Sequence, residues 1–348
     1  MDNKEVVSST SKKNAFATWV EIIKTCNTSV DLNNLGPFSK FLLIVRACVL
    51  QLSINAGLIG LILAIVKYGY DKIHWGDFGI AFIGIILAHI SNNMINDFFD
   101  MLQKVDEPEY VRPMYAPHPV LSGIISKKKF VLLIFLVNII DLLIGIYFFL
   151  KYGWIIALFA GLGFFISFFY VAPPLRLKHI GLGEIGVMIV WGPLMIGGIY
   201  LVSAGTIDKF ALIGSIPYGL IVGAMLFGKH IDKIEFDRAK GIHTLPVILG
   251  EKNARRAVQF LLILFVLVTI LFGWYYKLWW MFLIILSFKR LWFVLKILNE
   301  PKPEKPPEGF VIWPLWFVAF VFYYIKLAGF LFFIGLLLSA FFPLQNYF

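Results

Sequence analysis

Eight stretches of roughly twenty apolar residues, followed by one longer tract, constrain this chain more than any other feature it has. They fall at about 41–67, 77–100, 129–150, 154–172, 182–202, 209–229, 255–276 and 278–298. A helix needs about 20 apolar residues to cross a bilayer, so each stretch is long enough to span. The ninth tract, 310–343, exceeds one simple span. It reads as an interfacial piece, 310–323, broken at Pro314, and then a helix over 327–342. Two spans there would make ten helices, the second choice. Composition agrees: 59% of the residues are hydrophobic and 15% charged, where a soluble domain has roughly half and a quarter. The expectation is an all-α, polytopic membrane protein of about nine transmembrane helices around a central cavity.

Basic residues set the expected orientation. The N-terminal segment and the loops after the even-numbered spans carry 24 of the 31 Lys and Arg, counting flanking residues with their loops. The odd loops carry only five: Lys67, Lys72, Lys151, Lys209 and Lys277. The positive-inside rule puts the N-terminus and the even loops in the cytoplasm, in a cell membrane. Trp75, Trp154, Trp279 and Trp280 fall near predicted helix ends, as an aromatic belt would. The net charge of +10 therefore follows loop parity. No basic groove with interleaved aromatics points to nucleic acid, and no Gly-rich loop is placed to cradle a phosphate. Residues 1–40 read as a cytoplasmic N-terminal segment without a cleaved signal, and 41–348 as the transmembrane domain. Residues 15–23 suit either a surface-lying helix or a disordered lead-in. Cys26 and Cys48 offer no disulfide framework, and Cys48 reads as a small packing residue.

Two polar runs stand where apolar sequence ends. The first, Ser91-Asn92-Asn93-Met94-Ile95-Asn96-Asp97-Phe98-Phe99-Asp100, closes the second span with amides and carboxylates and leads to Asp106, Glu107 and Glu109. At helical pitch Asn92, Asn96 and Asp100 stack on one face, with Asn93 and Asp97 beside them. The second, Lys229-His230-Ile231-Asp232-Lys233-Ile234-Glu235-Phe236-Asp237-Arg238, closes the sixth span. Together the runs hold 8 of the 21 acidic residues, and both fall on the expected cytoplasmic side. Two acidic clusters facing one cavity repel each other. A hard divalent cation relieves that repulsion and bridges to phosphate, so Mg²⁺ carrying a diphosphate is the economical reading. The bland alternative is two solvated helix ends paired with nearby Lys and Arg. Arg46, inside the first apolar span, reads as functional or paired.

The residues also carry a resemblance. Asn96-Asp97-Phe98-Phe99-Asp100 with Asp106 resembles the first aspartate-rich motif of the UbiA superfamily of intramembrane prenyltransferases. His118-Pro119-Val120-Leu121-Ser122-Gly123 looks like the segment that follows it. Residues 170–183, YVAPPLRLKHIGLG, and 237–247, DRAKGIHTLPV, are similar to two further family segments, and Gly192-Pro193 fits within the fifth span. The resemblance covers about 41–343. It implies a polyprenyl diphosphate held through Mg²⁺ on both motifs, an allylic cation, and a hydrophobic acceptor that attacks it. The implied metal ligands are Asn96, Asp97, Asp100, Asp106, Asp232 and Asp237. Asp97, Asp100, Tyr170 and Lys233 are the implied catalytic residues. Asn93, Asn96, Arg46, Arg112, Lys178, Lys229 and Arg238 are the implied substrate contacts, with ordinary topology roles the alternative for Arg112 and Lys178. Tyr170 would line the cation site, or anchor at the interface.

The second motif departs from the family pattern. Two Asp four apart are usual, but Lys233 stands where the first belongs. Either Lys233 binds diphosphate directly, or a local irregularity brings Asp232 in; the second reading is slightly favoured. The longer spacing from Asp100 to Asp106 resembles that of quinone-pathway members such as 1,4-dihydroxy-2-naphthoate polyprenyltransferases. The expected reaction is Mg²⁺-dependent prenyl transfer to an aromatic quinone precursor. A lipid-like alcohol acceptor is the close alternative, and a cation channel or transporter the rival from another class.

Overall fold

Backbone N–H and C=O groups in hydrocarbon must be satisfied within their own segment, which makes each long apolar stretch a helix. The computed structural model of the chain describes residues 14–106, 116–310 and 312–344. Its helices are α1 (Ala15–Thr25), α2 (Pro37–Ile44), α3 (Gln51–Tyr68), α4 (Trp75–Leu102), α5 (Lys127–Tyr152) and α6 (Trp154–Phe169). Then come α7 (Gly183–Ile189), α8 (Met195–Ala204), α9 (Lys209–Ile231), α10 (Ile234–Ala239), α11 (Leu245–Tyr275), α12 (Phe288–Asn299) and α13 (Trp316–Phe341). Among the described residues the only strand-like pairing is one isolated bridge, Ile180 with His243.

Among the described residues seven helical spans are long and apolar enough to cross a membrane; α6 is a shorter apolar helix. The eighth predicted stretch is a 3₁₀ run, Trp279–Ser287, continued by α12. The protein is an integral multi-pass all-α membrane protein, with nine spans reached only by counting α6 and this broken segment.

Two boundaries differ from expectation. The first apolar stretch is not one helix. Its chain breaks at Arg46, which adopts a left-handed backbone (φ 52°) between α2 and a 3₁₀ turn leading into α3. The tract at 310–343 gives one helix, not an interfacial piece and a second helix. Pro314 lies just ahead of α13 and interrupts nothing, and Lys326 sits exposed on α13 with its ammonium 5.3 Å from the Phe322 ring.

α9 is the axis of the bundle, packed by α11, α13, α3, α7 and the kinked segment between α7 and α8. Glycines allow the closest crossing. The kink is at Gly192, whose backbone leaves helical geometry beside Pro193. A Cβ on Gly219 would lie 2.6 Å from the Met188 carbonyl oxygen and 3.2 Å from the Gly192 Cα, so only glycine admits this contact. Fully buried rings, among them Tyr200, Phe265, Phe272, Phe317, Tyr324 and Phe332, fill the core around it.

Both cysteines depart from expectation. Cys26 ends α1 and is disulfide-bonded to Cys48, with the Cα atoms 5.2 Å apart. The two are 22 residues apart in sequence, but α1 folds back. Its Ile22 packs with Leu35, Leu42 and Leu43, and the Trp19 indole donates to Ser39 Oγ at 3.1 Å. Residues 15–23 are therefore helix seated on the bundle.

Candidate functional site

α4 ends in the first acidic run, and its last turns bring Asn92, Asn93, Asn96, Asp97 and Asp100 to one end of the bundle. Asp97 is wholly buried and bonded by the guanidinium of Arg46. The left-handed turn at Arg46 is what points that side chain across to α4, a backbone cost of about 1–3 kcal/mol tolerated at functional sites. Asn93 fixes the same turn by donating from Nδ2 to the Val45 carbonyl at 3.2 Å.

Asp100 takes two hydrogen bonds from the buried ammonium of Lys178, at 3.1 and 3.2 Å. Lys178 comes from the loop between α6 and α7, anchored by its own N–H to the Tyr170 carbonyl at 2.9 Å. Burial alone would lower its pKa, but the carboxylates of Asp100, Asp237 and Asp106 outweigh burial and raise it, so the charge is retained. Tyr170 beside it is pushed well above the usual phenol range by burial and then by Glu184, Asp100 and Asp237, which keeps its hydroxyl protonated.

Asp97, Asp106 and His118 bring one ligand atom each within 4.8 Å of the others, all buried. The imidazole is committed elsewhere. Its Nδ1 accepts the N–H groups of Val120 and Leu121 at 3.1 and 3.2 Å, so Nε2 carries the proton and donates to the Asp97 carbonyl at 3.0 Å. His118 is a loop hydrogen-bonder, and the oxygen donors are the carboxylates.

The second run is not a continuous helix. α9 stops at Ile231, Lys233 leaves helical geometry, and α10 begins at Ile234. Lys233 and Asp237 remain together, Nζ to Oδ1 3.7 Å, both buried. The break turns Asp232 the other way. Its two oxygens accept the N–H groups of Phe317 and Val318 at 2.9 and 3.0 Å, capping α13, with Lys302 at 3.9 Å. Burial pushes this carboxyl up to about 7 against those donors. The irregularity expected to bring Asp232 in instead takes it out of the site, because two unpaired helix N–H groups claim its oxygens. Asp232→Ala should therefore lower stability by about 1–2 kcal/mol, the usual worth of such a cap, read in thermal melts in detergent. An unchanged melt would show that the cap contributes nothing.

Arg238 also lies outside. It is exposed and binds Glu235 on its own helix at 2.9 Å. Arg112, like Glu107 and Glu109, lies outside the described residues.

The remaining groups, except Asp97 and Asp237, which do not line it, share one cavity of about 170 Å³. Its polar lining includes Arg46, Asn93, Asn96, Asp100, Lys178 and Lys233, with Asp106, Tyr170 and Lys229, and its apolar lining includes Ile166, Val187, Val190, Trp191, Val222 and Met225. The buried Oδ1 atoms of Asn92 and Asn96 have no hydrogen-bond partner there. Orphaned amide oxygens beside carboxylates are the donor set a hard divalent cation takes, so Mg²⁺ fits these residues. The segments after both runs are tied together. Lys240 Nζ donates to the Lys104 carbonyl at 3.1 Å, His243 N–H to the His179 carbonyl at 3.2 Å, and Val105 packs on Ile242 and Phe236.

One pair was missed from the sequence. Glu184, in the first turn of α7, is fully buried and meets His230 Nδ1 at 2.5 Å; His230 lines the cavity. The signal was present: an acid opening an apolar span is as costly as the acids closing α4.

Comparison with known proteins agrees with this architecture. The chain is 26% identical over 296 residues to a 1,4-dihydroxy-2-naphthoate octaprenyltransferase of Escherichia coli (strain K12), covering 80% of this chain and 93% of that one. It is 26% identical over 259 residues to the protein of that name from Bacillus subtilis (strain 168), covering 73% and 76%. Among solved structures, the apo form of a UbiA homolog from Aeropyrum pernix K1 superposes with a TM-score of 0.62 at 15% identity, over 83% of this chain and 98% of that one. A UbiA homolog from Archaeoglobus fulgidus bound to GPP and Mg²⁺ gives 0.60 at 13% identity, over 86% and 99%. Residues 57–321 match the UbiA prenyltransferase family, a match that covers more than half of the chain, and the chain belongs to that family.

Proposed function

We propose that this chain transfers a polyprenyl group from an isoprenoid diphosphate to an aromatic quinone precursor of the 1,4-dihydroxy-2-naphthoate class, within the membrane and with Mg²⁺. The observation that carries the reading is one cavity lined both by carboxylates, amides and ammonium groups and by apolar side chains. The names of the relatives in E. coli and B. subtilis support the acceptor class.

Asp97, Asp100, Asp106, Asn96 and Asp237 would hold the metal; Lys233 stands at the motif's first Asp position, and Asp232 caps α13 instead. When bound, Mg²⁺ supplies positive charge against the diphosphate oxygens and offsets the crowding of carboxylates. Arg46, Lys178, Lys229 and Lys233 bind the same oxygens directly and stabilise charge as the C–O bond breaks. Val187, Val190, Val222 and Trp191 exclude water from the allylic cation, and the Trp191 and Tyr170 rings offer π faces to it. A cavity of about 170 Å³ is too small for a whole polyprenyl chain, so the tail extends between helices into lipid. The motif face is cytoplasmic, in a cell membrane, by the distribution of Lys and Arg. Residues 1–40 form a segment on that face and 41–348 the prenyltransferase domain.

The test is product formation. Full-length protein in detergent, given Mg²⁺, geranylgeranyl diphosphate and 1,4-dihydroxy-2-naphthoate, should release diphosphate and yield the prenylated ring by mass spectrometry. Transfer to a glyceryl phosphate acceptor instead would replace the aromatic reading. Binding of the prenyl diphosphate without transfer to any acceptor would overturn it.

A further inference from the structure

His230 stands in the last turn of α9, three residues before Lys233, and lines the cavity together with the apolar Val187, Met225 and Leu226. Its Nδ1 lies 2.5 Å from Glu184 Oε1, and Glu184 Oε2 receives the Leu245 N–H at 3.4 Å. A carboxylate receiving two N–H donors fixes the imidazole proton on Nδ1. In the neutral ring Nε2 is then the acceptor nitrogen. Among the described residues the His230 side chain makes no other hydrogen bond or ion pair, and the residue lines the cavity. A lone pair there suits a hydroxyl donor and repels diphosphate oxygens. Lys229 and Lys233, on either side in sequence, are the groups suited to the diphosphate.

We propose that His230 is a catalytic residue, whose Nε2 accepts the hydroxyl proton of the aromatic acceptor while Glu184 holds the imidazole in place. The proposal rests on the prenyl-transfer reading above. The O–H bond breaks and its proton moves to Nε2, leaving an aryl oxide whose ring carbon is nucleophilic. That carbon bonds to C1 of the prenyl group as the C–O bond to diphosphate breaks. The ring carbon then loses its own substituent, a proton to the diphosphate or, from a carboxylated acceptor, CO₂. His230 returns its proton to the oxygen. Atoms and charge balance without an oxidant or a further reactant. Glu184 is a positioning residue, acting through the imidazole.

The experiment compares wild type with His230→Leu, His230→Gln and Glu184→Gln as full-length proteins. The probes are geranylgeranyl diphosphate, 1,4-dihydroxy-2-naphthoate and its two monohydroxy analogues, each lacking one hydroxyl. His230→Leu should lose about 10²–10⁴ in kcat/KM for the dihydroxy acceptor while its Kd for geranylgeranyl diphosphate stays within about twofold. His230→Gln keeps a hydrogen-bond acceptor near Nε2, so the KM for the acceptor stays near wild type and kcat falls. Glu184→Gln should show a smaller loss in kcat of the same kind. For one of the two analogues, the one without the hydroxyl that meets Nε2, wild type and His230→Leu should perform alike. A purely structural role for His230 predicts no such dependence on acceptor. The proposal is overturned if His230→Leu turns over normally, if prenyl-diphosphate binding falls as far as acceptor use, or if both analogues separate the proteins as the dihydroxy acceptor does. Wild type that prenylates no acceptor overturns the transfer reading itself, and the proposal with it.

Discussion

Asp97→Asn is expected to cut turnover by about a thousand-fold, on the scale of removing one fixed charge from a transition-state site. Asp97 is wholly buried, and Arg46 is bonded to it. The substitution keeps the shape and removes one negative charge, so it affects two things at once. The site loses a proposed metal ligand, and Arg46 is left with a charge that has lost its partner. Breaking a buried pair this way costs about 3–5 kcal/mol. The low end applies here, since the Arg46 side chain is still 21% exposed. The two effects separate in the double variant Asp97→Asn/Arg46→Gln. Stability should return towards wild type because no orphan charge remains, while turnover should stay at the level of the single variant. Recovery of turnover along with stability would show that the pair only holds the fold.

Lys233→Asp should lower kcat/KM for geranylgeranyl diphosphate by about 10–150-fold at low Mg²⁺, the worth of one charge-assisted hydrogen bond. Part of that loss should return as Mg²⁺ is raised. The new carboxylate would stand four residues before Asp237, where Lys233 now lies 3.7 Å from it. Two carboxylates in that position repel until a cation neutralises them, so metal demand rises as ammonium is replaced. Lys233→Met, which adds no carboxylate, should show the loss without the recovery. Equal Mg²⁺ response in both variants would rule out a direct role for the ammonium on the diphosphate. Asp232→Ala, measured alongside, should leave this Mg²⁺ response unchanged.

The spans were legible because length and apolarity decide them: α4, α5 and α9 each run within about two residues of expectation. The first acidic run stood out for the same reason, since amides and acids are costly at the end of an apolar helix, and the structure buries Asn93, Asp97 and Asp100 there. Less was legible where backbone conformation decides. A left-handed Arg46 has no compositional mark, so its break in the first stretch passed unseen although its pairing was anticipated. The placing of Asp232 and Lys233 turned on helical wheel geometry, which holds only for an unbroken helix. The chain leaves helical geometry at Lys233, and the destination of Asp232 depends on the free N–H groups of α13, some 85 residues away. Glu184 needed only the rule already applied to α4. The partner it found, His230, needed three dimensions.

The bridge between Cys26 and Cys48 bears on the disordered ensemble more than on the native contacts. It closes a loop of 22 residues that contains all of α2 and the Arg46 turn. Loop closure of this size removes freedom from the unfolded chain worth about 3 kcal/mol, of the order of what a left-handed non-glycine residue costs. The turn that aims Arg46 thus owes part of its persistence to states the native protein does not occupy. Its hold therefore varies with the thiol–disulfide poise of the compartment that α1 faces: firm where oxidising, weaker by that amount where glutathione keeps the pair reduced.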